Sequence, residues 1–147
     1  MNREIIFRSK RVDNDEWVYG YLAEAVNCMT DKKATFIIEQ DATYFGYTCA
    51  VEVQPETVGE FTGLTDKNGN KIFEGDIVKI TDKIVGYERF AFIEFGNPNA
   101  QYDWGWQLHP ISKEPFAVAI LHWVDMEESG AFIEVIGNIY DNKELLK

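Results

Sequence analysis

The stretch Gly63-Leu64-Thr65-Asp66-Lys67-Asn68-Gly69-Asn70-Lys71-Ile72-Phe73-Glu74-Gly75-Asp76-Ile77-Val78-Lys79-Ile80 reads as a turn, a short connection, a second turn and a strand. Asp66 can accept a hydrogen bond from the backbone two residues on, Asn68 tolerates a left-handed conformation, and Gly69 takes positive φ without steric cost. Glu74-Gly75-Asp76 is a second punctuation, where Gly75 permits positive φ or close backbone approach. Ile77 to Ile80 is rich in β-branched residues and reads as a strand. Ile72 and Phe73, apolar between two polar turns, plug the loop into the core. On this reading Gly63, Asp66, Asn68, Gly69, Glu74, Gly75 and Asp76 form a structural turn motif. Asp66→Ala is then expected to cost about 1 kcal/mol, the loss of one local hydrogen bond.

Working outward, short β segments appear on both sides. Glu4 to Arg8 and Trp17 to Leu22 flank the turn cluster Asp13-Asn14-Asp15-Glu16 and read as a hairpin. Ala23-Glu24-Ala25-Val26 could begin a helical turn, although Asn27 and Asp31 oppose it. Thr35 to Glu39 is a strand, and Tyr44 to Val53 another, ended by Pro55, which cannot donate to a ladder. Thr57 to Thr62 leads into the central stretch. Beyond it, Tyr87 to Phe95 is apolar on both faces, as in a strand covered on both sides. Gly96-Asn97-Pro98-Asn99 is a turn. Tyr102, Trp104, Trp106 and Leu108 share a face at period two. Ala117 to Val124 and Phe132 to Ile136 complete the strands, and Asp141 to Leu146 reads as a capped final helical turn. The pattern predicts a mainly β protein with minor α, an antiparallel rolled sheet or small barrel of about eight short strands.

The run Thr62-Gly63-Leu64-Thr65-Asp66-Lys67-Asn68-Gly69-Asn70-Lys71-Ile72-Phe73-Glu74-Gly75-Asp76-Ile77-Val78-Lys79 resembles the YopX family of phage and prophage proteins. Arg3 to Arg8, Val18 to Tyr21, Pro55 to Gly59 and Glu134 to Tyr140 are similar to that family too. One departure is Lys143, where the family pattern has proline. The resemblance implies a single domain over 1–147, within which a lobe at 1–54 and a β lobe at 55–147 can be drawn. It also implies a phage provenance. It supplies no mechanism.

Hydrophobic content of 46% is enough for a packed interior, and no apolar run reaches bilayer length. With no apolar segment at the start and two cysteines, Cys28 and Cys49, the expectation is a cytoplasmic protein of a bacterial host cell. Net charge is −11. Residues 84 to 137 carry two basic side chains, Arg89 and Lys113, against eight carboxylates, a net of −6. Such a chain has few cations with which to neutralise phosphates, so nucleic acid is not the expected partner. The third reading, a nucleic-acid contact, would rest on Arg3, Arg8, Lys10 and Arg11. Homo-oligomerisation stays open.

Four chemistries come into question. Asp66-x-Asn68-x-Asn70 fails as a calcium loop, with Lys71 at its sixth position and Ile77 at its twelfth. Gly63, Gly69 and Lys71 have the wrong spacing for a phosphate loop. Glu74 and Asp76 read as two solvated carboxylates beside a glycine turn rather than an acid–base pair. Cys28 or Cys49 with His109 or His122 lacks any nucleophile motif or short metal spacing. No cofactor or metal is expected. The binding candidates are Tyr102, Trp104, Trp106 and His109, since aromatic groups on one strand can anchor a protein partner. The expected function is non-catalytic binding to a host or phage protein. The alternative is a small enzyme or ligand-binding domain acting on a nucleotide-like metabolite, with Glu74, Asp76 and His109 or His122 converging in a pocket.

Overall fold

The computed structural model describes residues 3–39, 50–96, 104–113, 123–124 and 130–147. Among them are ten strands in two antiparallel sheets, with no helix of seven residues. The chain divides into two compact units, Met1–Phe61 and Thr62–Lys147. The six-stranded sheet has the order β4 (Ala50–Val53), β3 (Lys32–Glu39), β2 (Trp17–Asn27), β1 (Phe7–Lys10), β5 (Gly59–Thr65), β6 (Lys71–Phe73), and the four-stranded sheet the order β10 (Ala131–Asn138), β7 (Asp76–Asp82), β8 (Tyr87–Gly96), β9 (Gly105–Pro110).

In the first unit β1 (Phe7–Lys10) and β2 (Trp17–Asn27) form the expected hairpin, in register from Lys10↔Trp17 to Phe7↔Gly20. Asp15, at φ 60, sits in the connecting turn. The helical turn considered at Ala23–Val26 is overturned. Those residues extend β2, paired one for one with β3 (Lys32–Glu39) from Gly20↔Glu39 to Asn27↔Lys32. Cross-strand pairing outweighs the modest helix preference of two alanines. The following β4 (Ala50–Val53) pairs with β3 and then meets the residues after β1. Arg11 bridges Val53, Val12 N donates to Glu52 O at 3.2 Å and Gln54 N to Lys10 O at 2.8 Å. The sheet is thus rolled without closing as a barrel, around Val18, Ile37 and Val53 with Phe7 and Val51 against them. Pro55 ends β4 as expected and starts a 3₁₀ turn, Pro55–Thr57. Residues 44–49 of the expected strand lie outside the described residues.

β5 (Gly59–Thr65) begins in the first unit, beside β1, and runs into the second. There β6 (Lys71–Phe73) is tied to it by Thr62 Oγ1, which donates to Ile72 O at 2.8 Å. β7 (Asp76–Asp82), β8 (Tyr87–Gly96), β9 (Gly105–Pro110) and β10 (Ala131–Asn138) make the second sheet. The pairings Val78↔Ala91, Ile93↔Leu108 and Ile133↔Ile80 place six of these side chains on one face. With Ile72, Ala131 and Trp123 they form the larger core. Burying a side chain of this kind stabilises by roughly 1.5–3 kcal/mol, so this layer dominates the unit's stability.

The opposite face of β8 is not covered, because Phe90 stays 37% exposed while Ala91 and Ile93 are fully buried. Trp123 and Val124 lie in a helical conformation rather than in the strand read over Ala117–Val124, whose other residues lie outside the described ones. The final turn forms as a 3₁₀ piece, Lys143–Leu146, but Asn142 does not cap it with its side chain. Its Oδ1 accepts instead from Asn138 N at 3.1 Å.

Candidate binding surface

The central motif is a pair of turns held by hydrogen bonds. Asp66 is 6% exposed, and its carboxylate accepts four hydrogen bonds: Asn68 N and Asn70 N at 2.9 Å, Asn70 Nδ2 at 3.2 Å and Val135 N at 3.0 Å. Lys67 N donates to Ile133 O at 3.2 Å. The turn therefore continues the ladder along the outer edge of β10, a side-chain carboxylate standing in for a neighbouring strand. An exposed edge would otherwise template pairing with another chain. Burial pushes the Asp66 carboxyl up, but the N–H donors of Val135 and Asn70, the Asn70 amide and Asn68 N–H outweigh it and hold it below the usual range.

Gly69 has φ +81, as expected, whereas Asn68 keeps negative φ. Gly63 also has positive φ, within β5. Gly75, at φ +82, is hemmed in. A Cβ there would stand 3.2 Å from the Tyr140 ring and 3.5 Å from Ile139. Gly75 N donates to Ile93 O, and Ile139 N to Gly75 O, both at 2.9 Å. Ile72 and Phe73 are buried, as their position between two turns predicted. The reading of Glu74 and Asp76 as two solvated carboxylates is overturned for Asp76, which is 1% exposed and accepts from Phe73 N at 2.7 Å, closing the turn. Glu74 is half-buried.

The aromatic run after Gly96 separates into two environments. Trp106 and Leu108 lie on β9, where Leu108 is core and Trp106 packs against the core. Trp106 also meets Phe95 edge to face, centroids 4.9 Å apart. Trp104 precedes the strand in a bend and is 79% exposed, and Phe95 is 55% exposed. Hence the period-two face predicted through Trp104, Trp106 and Leu108 breaks at Gly105. Tyr102 lies outside the described residues, as do Asn97 to Asn99, Cys49 and His122.

On the other face of the hairpin, His109 stacks on its cross-strand partner Phe92, ring centroids 4.5 Å apart. His109 Nδ1 is 2.9 Å from Glu94 Oε2. Sequence reasoning missed Phe92 and Glu94 as neighbours, because only strand register brings residues 92, 94 and 109 together. Farther along, Ser112 closes the hairpin by donating its N–H to Phe90 O at 3.1 Å and accepting from Phe90 N at 2.8 Å. Phe90, Ile111, Ser112, Glu144, Leu145 and Lys147 line a groove of about 320 Å³. A second cavity, about 240 Å³, is walled by Thr65, Asp66, Lys67, Trp123, Val124, Phe132 and Ile133. Glu74, Asp76 and His109 are not among the residues lining these two cavities. Cys28 is exposed. Among the described residues no three of His, Cys, Asp and Glu are grouped to hold a metal, and no helix is long and apolar enough to cross a membrane.

A family model described as YopX protein matches residues 6–147. No curated protein matches. Among solved structures, the crystal structure of protein EF1440 from Enterococcus faecalis is similar, with TM-score 0.54 and 21% identity over 98% of this chain and 99% of that one. At that identity the likeness concerns the fold.

Proposed function

The chain belongs to the YopX family, and from that premise we propose a phage-derived accessory protein that acts by binding another protein. Its contact surface is the β8–β9 hairpin of the second unit, with Trp104 and Phe95 at the tip and Phe90, Phe92 and His109 along the face. The observation that supports this best is the exposure of Trp104 at 79% beside Phe95 at 55%. Large aromatics left in water forgo several kcal/mol of burial and are the residue type most enriched at binding hot spots. Trp106, which packs against the core, leaves the list of contact residues and becomes a support for Phe95.

The test is affinity capture from bacterial lysate on the wild type and on the double variant Trp104→Ala/Phe95→Ala. Trp104 is largely in solvent and Phe95 gives up only its edge contact with Trp106, so the variant should fold with a slightly lower melting temperature. Loss of a captured protein from the variant alone supports the surface. The same proteins on both baits would remove the hairpin tip from the function.

A further inference from the structure

The groove beside Phe90 has a chemistry of its own. We infer that it is a subsite for an arginine side chain presented by a basic partner protein, an inference that rests on reading the second unit as a binding module. Phe90 offers a ring that is 37% exposed, Ile111 and Leu145 supply apolar walls, and Glu144 is among the lining residues, exposed and with its carboxylate accepting a long 3.4 Å hydrogen bond from Asn142 Nδ2. Those are the three things a guanidinium uses at once: a face to stack on, apolar surface for its methylene stem and a planar acceptor for its fork.

The wider surface favours the same occupant. Glu88 shares its sheet face with Phe90, since Thr81↔Glu88 and Lys79↔Phe90 are alternate pairs of one ladder. The chain carries −11 overall, which steers cations toward it and anions away. Lys147 is part of the lining and Lys79 is opposite Phe90 on β7. Lys79 is engaged by Glu134 at 3.3 Å and Glu88 at 3.8 Å, and Lys147 in the lining is a cation that an incoming guanidinium must displace toward solvent.

The probe is a capped tetra-arginine peptide, titrated against the intact chain by calorimetry and by amide NMR shifts, with tetralysine of equal charge as control. The arginine peptide should bind about three- to tenfold tighter. Its largest shifts should fall on Phe90, Ile111, Ser112 and Leu145. Phe90→Leu keeps an apolar wall but removes the ring, and Glu144→Gln removes the charge from an exposed position; each should abolish most of the arginine preference. Equal affinity for both peptides, shifts spread over the acidic surface, or a preference that survives Phe90→Leu would overturn the proposal. So would sedimentation of the free chain as a dimer through this groove. Trp104→Ala should leave arginine binding intact, so a failure here is distinct from a failure of the hairpin-tip contact in lysate.

Discussion

Asp66 carries more of this fold than its place in a surface-type turn suggests. Its place in a turn implies one local hydrogen bond and a cost of about 1 kcal/mol; the structure gives its carboxylate four donors, one of them 69 residues away. Truncation strands the N–H groups of Asn70 and Val135 in a part-buried site, so Asp66→Ala should destabilise by about 3 kcal/mol, measured by urea unfolding. A loss near 1 kcal/mol would show that water replaces the carboxylate freely. Gly69 is the opposite case. Nothing stands within 4 Å of a Cβ there, so Gly69→Val should cost roughly 1–3 kcal/mol purely from positive φ. Gly69→Asn should recover part of that loss in the same melts, because asparagine tolerates the left-handed region.

At the level of elements, the second sheet depends on how β10 is finished at both sides. Its outer edge is blunted by the Asp66–Lys67 turn, and its end carries a register shift between Val135 and Gly137. A Cβ on Gly137 would collide with Asn142, whose Cγ would lie 2.8 Å away. Since Asn142 Oδ1 holds Asn138 N, Gly137→Ala should dislodge the 139–147 tail rather than unfold the sheet. Hydrogen exchange should then quicken at Asn142 and Leu145 while Ile80 and Ile93 stay protected. Uniformly faster exchange across β7 and β8 would mean that the tail is integral to the core.

For the whole molecule, acid is the informative perturbant. Asp66 and Glu134 both have carboxyls held below their ordinary values. The cause at Glu134 is the ammonium of Lys67 at 3.1 Å, aided by Lys79 at 3.3 Å, against a smaller opposing effect of burial. A depressed folded-state pKa contributes stability that is fully present above the unfolded value of about 4 and is lost as pH falls through the folded one. Melting temperature should therefore be flat from pH 7 to pH 5 and fall steeply below about pH 4. Asp66→Asn should have a lower plateau and a shallower acid limb. An unchanged acid limb in that variant would place the acid sensitivity elsewhere.

The chain by itself fixes its class and its corners. Turn chemistry at Asp66-x-x-Gly69 and Gly75, the plug Ile72-Phe73, the β-branched run from Ile77 and the hairpin around Asp15 all follow from local φ preferences and period-two alternation, which act over a few residues. The family resemblance was legible for the same reason, in one contiguous run. Tertiary structure alone decided that Asp66 serves the edge of β10, that Asp76 is buried, that Trp104 and Trp106 part company at Gly105, and that Phe92, Glu94 and His109 meet. Each of those depends on strand register and on which face of a sheet is covered, and both are set by pairings between segments far apart in the chain.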